Sequence, residues 1–211
     1  AGKIPVSMGI DTWAVDYVLL DEKDQDLGKT YGYRDKRTHG MDEIVYGILP
    51  QNELYARTGI QKQIFNSIYQ LMAVKQNQPE DLEKAQYFCM IPDYFHFLLT
   101  GEKVTDYTNA TTTQLVSPTT KKWDDELIEK LGFPRRLFGE LSMPGCEVGC
   151  FTERIQEEVG FACKVVLPPT HDTASAVLAV PAVEEDFLYI SSGTWSLMGI
   201  ERLEADCSSA S

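Results

Sequence analysis

The sequence PPTHDTASAVLAVP at residues 168–181, followed by EEDFLYISSGTWSLMG at residues 184–199, contains two motifs that predict both fold and chemistry. In the first motif, His171 and Asp172 follow a short apolar segment, residues 164–167, which predicts a strand. The small and apolar residues after Asp172 favour a helix. The carboxylate of Asp172 is therefore expected at a helix N-terminus, where the helix dipole and free N–H groups stabilise an anion.

The second motif predicts a hairpin whose turn consists of small residues. Residues 187–190 form an apolar strand, the turn Ser191-Ser192-Gly193-Thr194 follows, and residues 195–200 form the return strand. Such a turn can offer N–H groups and hydroxyls to phosphate oxygens, and its glycine permits close approach. A carboxylate that accepts a hydroxyl proton, near a loop that binds phosphate, is what a phosphoryl transferase acting on an alcohol requires.

Each motif alone also has a structural interpretation. Asp172 could only cap a helix, with His171 as an ordinary turn residue, and for such a pair in isolation structure is the commoner role. Ser-Ser-Gly-Thr is a common hairpin turn. The two motifs in this order and at this spacing are much less common, which favours the chemical interpretation.

The composition excludes several classes of function. The chain has 211 residues, 43% of them hydrophobic, which is enough for one sizeable core and argues against disorder. A net charge of −13 without a basic block argues against nucleic acid or an anionic membrane as partner. No apolar run approaches the roughly 20 residues of a membrane span, and no signal-peptide pattern opens the chain.

The cysteines indicate the compartment. Five cysteines, an odd number at scattered positions, do not suggest a disulfide framework, so the reducing cytoplasm is expected. Cys146 and Cys150 could suggest a metal site. Without a second ligand pair nearby, two loop thiols are the simpler interpretation.

The N-terminal part of the chain predicts strands. Residues 4–11 form an apolar run that ends in Asp-Thr-Trp, typical of a buried parallel strand with functional residues at its carboxyl end. Trp13 is either a platform for a sugar ring or a packing residue at the rim. Residues 15–20 and 27–33 flank the charged turn 21–26 and predict a hairpin.

From Met41 to about Gly101 the sequence predicts helices only. They are expected to end at Gly59 and Gly101 and to begin after Asn66 and at Pro79. Residues 105–116, rich in Thr and Asn, predict a loop whose side chains bond their own backbone or line a sugar pocket; the structural role is favoured.

The remainder predicts a helix from Trp123 to Gly132, an irregular segment at 134–144 and a helix at 152–159 that ends at Gly160. The predicted order is strands first, then a helical middle, and then a strand, a helix and a hairpin. This order predicts an α/β fold with a large helical insertion.

The sequence also resembles the FGGY family of sugar kinases. The motifs that carry the resemblance are GIDTWAVDYVLLD at 9–21, ARTGIQ at 56–61, PDY at 92–94, DYTNATTTQLV at 106–116, HDTASAV at 171–177 and YISSGTWSLMG at 189–199. The resemblance implies an actin-like, ribonuclease-H-like architecture of two similar domains with the active site between them. Residues 1–183 would be most of the N-terminal domain without its opening strands, and residues 184–211 the first hairpin of the C-terminal domain.

By the same resemblance, the protein would phosphorylate a ketose with ATP and Mg²⁺. Asp172 would accept the hydroxyl proton and also contact the sugar. His171 and Thr173 would bind neighbouring hydroxyls, and Gly193 and Thr194 would bind the nucleotide phosphates. The implied sugar is L-rhamnulose; fuculose, xylulose or ribulose, or a non-catalytic sugar-binding module of actin-like fold, are the alternatives.

The resemblance also places the backbone at Ala14 against the sugar. The family pattern has glycine there, so a positive φ at this alanine would cost about 1 kcal/mol. A second phosphate loop and a glycine-rich adenosine site are expected before Ala1 and after Ser211. The chain alone is therefore expected to be inactive and to self-associate.

Overall fold

The computed structural model describes residues 2–183 and 187–208; the predicted domain boundary between residues 183 and 184 falls at the edge of the part it leaves out. The strands are β1 Ser7–Met8, β2 Tyr17–Leu20, β3 Asp26–Leu27, β4 Tyr87–Met90, β5 Thr105–Asp106, β6 Val116–Ser117, β7 Lys122–Trp123, β8 Leu141–Ser142, β9 Glu147–Cys150, β10 Lys164–Val166, β11 Leu188–Ser192 and β12 Ser196–Ile200. The α-helices are α1 Met41–Ile48, α2 Gln51–Thr58, α3 Ser67–Asn77, α4 Pro79–Lys84, α5 Ile91–Thr100, α6 Tyr107–Thr111, α7 Asp125–Lys130, α8 Glu153–Val159 and α9 Asp172–Leu178.

The sheet that positions the site has the strand order β1-β10-β9. β1 runs parallel to β10, with Ser7 opposite Lys164. The predicted parallel direction is confirmed, although of the predicted residues 4–11 only Ser7–Met8 form the strand. The prediction of burial is wrong, since the side chains of Ile4 and Val6 are 66% and 82% exposed. These residues are exposed because, within the described residues, β1 is an edge strand that pairs with β10 on one side only.

A second, antiparallel sheet has the order β3-β2-β4, with Tyr17 opposite Met90. The predicted hairpin at residues 15–33 is confirmed. Its second arm is only the two residues of β3, because Gly28 follows at φ 65° and turns the chain away. The prediction of an all-helical middle is wrong, because β4 lies between α4 and α5. Four residues are too few to show a strand periodicity in the sequence.

The predicted glycine stops are confirmed. Gly59, Gly101 and Gly160 follow α2, α5 and α8 in the left-handed conformation, at φ 64°, 79° and 82°. The main core forms around α3, where residues 67–74 are all buried. α3 is thus buried on every side, so it is a central helix of the core and not a surface helix with one apolar face.

Residues 105–116 are not the predicted loop: they contain β5, the short helix α6 and the start of β6. Side chains of this segment do bond to its own backbone, as predicted, and these bonds stabilise α6 and the residues that follow it. The hydroxyls of Thr111, Thr112 and Thr113 donate to carbonyls three residues back, at 2.8, 2.7 and 2.6 Å. The segment 134–144, predicted to be irregular, contains a 3₁₀ turn at Arg135–Leu137 and β8, which pairs parallel to β5.

All five cysteines are free thiols, and Cys146 and Cys150 are both exposed. Within residues 2–183 and 187–208 no three His, Cys, Asp or Glu side chains gather into a possible metal site. In the same part of the chain no helix combines the length and apolar character that crossing a membrane requires.

Candidate active site

The residues predicted for the site line one cleft of about 590 Å³. They come from the loop after β1, from the start of α9 and from the turn between β11 and β12. They are Ala14, His171, Asp172, Thr173, Gly193 and Thr194, and Trp13 lies beside them. Segments separated by more than 150 residues in sequence thus meet at one opening.

The reactive strip, defined as residues 171–173, is positioned by an extension of the β1–β10 pairing. The N–H of Thr12 donates to the carbonyl of Thr170 at 2.9 Å, and the N–H of Asp172 donates to the carbonyl of Thr12 at 2.9 Å. His171 is the N-cap residue of α9 and Asp172 is its first helical residue. The predicted placement of the carboxylate at a helix start is confirmed.

The carboxylate of Asp172 is accessible and oriented. Its side chain is 57% exposed, and its Oδ1 accepts from the N–H of Thr173 at 2.6 Å and from the Thr173 hydroxyl at 3.3 Å. Nε2 of His171 lies 3.5 Å from the same oxygen. An oriented, solvent-facing carboxylate can accept a hydrogen bond and then a proton from a substrate hydroxyl.

His171 is neutral at pH 7. Burial lowers the pKa of its imidazole below the usual value, and this effect outweighs the opposing charges of Asp172 and Asp106. A neutral imidazole has one donor and one acceptor nitrogen, which suits contact with a sugar hydroxyl.

Asp106, which the sequence analysis did not single out, lies directly behind the reactive strip. Its Oδ2 accepts from the N–H of Asn109 at 2.9 Å, from the N–H of Thr170 at 3.1 Å and from the Thr170 hydroxyl at 2.8 Å. It also accepts from the hydroxyl of Thr108, whose oxygen accepts from the N–H of His171 at 3.4 Å. The signal available in the sequence was the Asp-x-x-Asn pattern of a helix cap.

Two further buried titratable groups surround Asp106. Burial, and then the neighbouring Asp106, raise the pKa of Asp93 well above its usual range. Nε2 of His96 accepts from the N–H of Ile10 at 3.0 Å. Burial lowers the pKa of His96 to about 4, so its imidazole is neutral as well.

In the loop after β1, Trp13 is half exposed, and its Nε1 donates to Oδ2 of the buried Asp16 at 2.8 Å. Desolvation raises the pKa of Asp16, against the hydrogen bonds from Trp13 and Gln70. The residue with positive φ is Val15, at 70°, and not Ala14. The prediction of backbone strain at Ala14 is therefore wrong, because the left-handed conformation falls one residue later, at Val15.

The turn of the β11–β12 hairpin, which the sequence predicts to bind phosphate, uses part of its hydrogen-bonding capacity within the turn. The N–H of Gly193 donates to the carbonyl of Trp195 at 2.8 Å, so it is not a free donor for a phosphate oxygen. The space where a Cβ of Gly193 would lie is open, and the hydroxyl-bearing residues Ser191 and Thr194 line the cleft beside it. Hydroxyls next to an unobstructed glycine fit the oxygens of a nucleotide phosphate.

Comparison with known proteins identifies the class to which this arrangement belongs. The model of the FGGY family of carbohydrate kinases, N-terminal domain, matches residues 2–179. The chain belongs to the FGGY family of carbohydrate kinases. This membership accounts for the α/β fold.

Curated relatives narrow the similarity further. The chain is 57% identical over 201 residues to the rhamnulokinase of Halalkalibacterium halodurans. The aligned region covers 95% of this chain and 43% of that protein. It is 56% identical over 200 residues to the rhamnulokinase of Oceanobacillus iheyensis, again covering 95% of this chain but 42% of the relative. The chain thus spans less than half the length of the rhamnulokinases it matches.

Solved structures confirm the fold, which is the actin-like, ribonuclease-H-like fold of FGGY sugar kinases. The ligand-bound xylulose kinase of Lactobacillus acidophilus matches with a TM-score of 0.84 over 94% of this chain, at 22% identity. The xylulose kinase of Rhodospirillum rubrum matches with a TM-score of 0.85 over 97% of the chain, at 17% identity. Each match covers 40–42% of the larger structure.

Proposed function

We propose that the protein to which this chain belongs transfers a phosphoryl group from ATP to the C1 hydroxyl of L-rhamnulose. The observation that carries the proposal is the convergence of the reactive strip and the hairpin turn on one cleft. Family membership supports the reaction class. The similarity to rhamnulokinases supports the sugar.

In this mechanism Asp172 accepts the proton of the attacking hydroxyl. The transition state of phosphoryl transfer is loose, so orienting the hydroxyl matters more than strong basicity, and the proton can move late. The bonds from Thr173 hold one oxygen of Asp172 in place and leave the carboxylate open to the cleft. His171 and Thr173 would bind neighbouring sugar hydroxyls, and the backbone at Ala14 would face the ring.

The hairpin turn would bind the nucleotide phosphates through Thr194, with Gly193 allowing their close approach. Mg²⁺ supplies charge neutralisation when it accompanies the nucleotide. No residue of the described part of the chain is assigned to it. We further propose that residues 1–183 belong to the sugar-binding domain and residues 184–211 to the start of the second domain.

A panel of ketoses tests the proposal. In the full-length protein, ADP release with ATP should be fastest, by kcat/KM, for L-rhamnulose, and the product should carry phosphate on C1. A higher kcat/KM for fuculose, ribulose or xylulose would replace the sugar and keep the reaction class. If the protein binds a sugar but releases no ADP with any of the ketoses, a non-catalytic sugar-binding module would be favoured.

A further inference from the structure

The aromatic wall of the cleft, defined as Trp13, Tyr33 and Phe65, comes from three separate loops. The rings of Tyr33 and Phe65 meet edge to face with centroids 5.1 Å apart, and the ring of Phe65 lies 5.9 Å from that of Trp195 in the hairpin turn. Loop side chains hold a precise geometry only when packed or hydrogen-bonded neighbours support them.

One buried polar pair, Asp16 and Gln70, anchors all three loops. Oδ2 of Asp16 accepts from Nε1 of Trp13 at 2.8 Å and from the N–H of Tyr33 at 3.1 Å. Nε2 of Gln70 donates to the carbonyl of Phe65 at 2.9 Å and to Oδ1 of Asp16 at 3.3 Å. Both residues are at most 3% exposed, so water does not compete for these bonds.

Arg37 fixes the orientation of the Gln70 amide. Nη2 of Arg37 donates to Oε1 of Gln70 at 2.5 Å, and the guanidinium lies over the ring of Tyr31, 4.1 Å from its centroid. Because a guanidinium can only donate, Gln70 must turn its oxygen to Arg37 and its NH₂ group to Asp16. The amide cannot flip without setting donor against donor.

Gln70, together with Ser67, also holds the left-handed backbone of Val15. A φ of 70° is unusual for a β-branched residue. The carbonyl of Val15 accepts from the hydroxyl of Ser67 at 2.6 Å and from Nε2 of Gln70 at 3.1 Å. Such conformations persist where the surroundings enforce them, and they concentrate at binding sites. Here the enforced residue follows Trp13 and Ala14, which line the cleft.

We propose that Asp16 and Gln70 are positioning residues for sugar recognition, and that the aromatic wall they hold receives the methyl end of a 6-deoxyketose. This inference rests on the proposed function. A ketose with its C1 hydroxyl at Asp172 directs its other end away from the reactive strip, into the remainder of the cleft. There a methyl group packs on the faces of the rings without losing a hydrogen bond. A hydroxymethyl group on the same rings would exchange water for ring carbons, and it would have to turn to the polar lining of the cleft, such as Gln61 or Gln63, for a partner.

The test compares L-rhamnulose with L-fructose, which differs from it by a hydroxyl on C6, in the full-length protein. Asp16→Asn keeps the shape of the side chain but sets its NH₂ group against that of Gln70. Gln70→Met keeps the length and removes the amide. In each variant the ratio of kcat/KM for the two sugars should fall about tenfold towards one, mainly through a higher KM for L-rhamnulose. The KM for ATP should change less than twofold.

Gln156→Met is the matched control. Nε2 of Gln156 donates to the carbonyl of Phe151 at 2.6 Å, and neither residue lines the cleft. This variant should leave the sugar ratio unchanged. If Gln70→Met does not fold, Asp16→Asn decides. An unchanged ratio in folded Asp16→Asn, or an equal fall in the control, overturns the inference. Wild-type protein that phosphorylates no ketose contradicts the proposed function itself, so the two failures are distinguishable.

Discussion

Single residues decide the chemistry proposed for the cleft, and Asp172 is the first of them. Asp172→Asn keeps the size of the side chain and removes the proton acceptor. Turnover by the full-length protein should fall by about two to four orders of magnitude, the usual contribution of a general base. Sugar affinity should change much less, because an amide still binds hydroxyls. Steady-state ADP release and titration calorimetry measure the two effects.

Asp125→Asn is a suitable control for that variant. Asp125 starts α7, pairs with Arg135 at 2.5 Å and is 68% exposed. Its replacement should leave turnover within twofold of wild type. Near-normal turnover in Asp172→Asn would remove Asp172 from the mechanism and leave the reaction class without its proposed base.

His96 gives a residue-level prediction about pH. The pKa of its imidazole is about 4 in the folded chain, against 6.5 for an unburied histidine. Below pH 6.5 the unfolded chain therefore binds a proton that the folded chain does not, and stability is lost as pH falls towards 4. Between pH 7.5 and 5.5 the expected loss of unfolding free energy from His96 is about 1 kcal/mol.

Urea denaturation of wild type and His96→Gln at pH 7.5 and 5.5 measures this loss. Glutamine can still accept from the N–H of Ile10, and it does not titrate. The raised pKa of Asp93 acts in the opposite direction, and His171 acts in the same direction as His96. Both remain in the variant, so the difference between the two proteins isolates His96. Equal pH dependence in the two proteins would contradict the assignment.

At the residue scale the sequence predicted which side chains meet but not the backbone that presents them. His171, Asp172 and Thr194 sit in motifs whose order indicates their chemistry. The left-handed turn at Val15 was missed because valine disfavours it in isolation, and Ser67 and Gln70, more than fifty residues later, supply the bonds that hold it. Long-range hydrogen bonds of this kind leave no local signal.

At the scale of elements, the short helix α6 connects the core to the reactive strip through its cap. Asp106→Ala removes the acceptor for four donors, two of them on Thr170. The free energy of unfolding should fall by about 2–4 kcal/mol, because buried donors lose their partner. Turnover should fall at least tenfold, since the segment before His171 loses its anchor. Chemical denaturation and ADP release measure both.

Asp124→Ala tests whether lost stability alone explains such a result. Asp124 caps α7 in the same way, with Leu127 donating at 3.1 Å, and it pairs with Arg57 at 2.7 Å. It lies outside the cleft lining. The substitution should lower the free energy of unfolding by about 2–3 kcal/mol and leave turnover unchanged. Equal kinetic effects in the two variants would reduce Asp106 to a stabilising role.

Elements with local signals were predictable, and elements that depend on partners were not. Glycines in left-handed C-caps ended α2, α5 and α8 where expected, since that signal lies in one residue. β4 was missed because its partner β2 lies about seventy residues earlier in the chain. The burial of β1 was wrongly expected because the apolar pattern does not say whether a strand lies at an edge.

At the scale of the whole molecule, the chain contributes more to the proposed sugar side of the cleft than to the proposed nucleotide side. Trp13 and the reactive strip belong to the loops and helix around β1 and β10. The nucleotide side consists of one hairpin, whose strands β11 and β12 are exposed or half-buried along their length. The asymmetry agrees with the match of the N-terminal family model to residues 2–179.

The 211-residue chain by itself is therefore expected to be inactive. A single hairpin turn should bind ATP only near the millimolar range, about 4 kcal/mol of binding free energy. The edge strand β1 and the apolar side chains of Val6, Ile190 and Met198, exposed by 82%, 66% and 70%, should drive self-association. Calorimetry should show little nucleotide affinity, and light scattering a species larger than a monomer, reduced by Val6→Lys. Sugar-dependent ATP hydrolysis by the purified chain would show that these residues hold a complete active site.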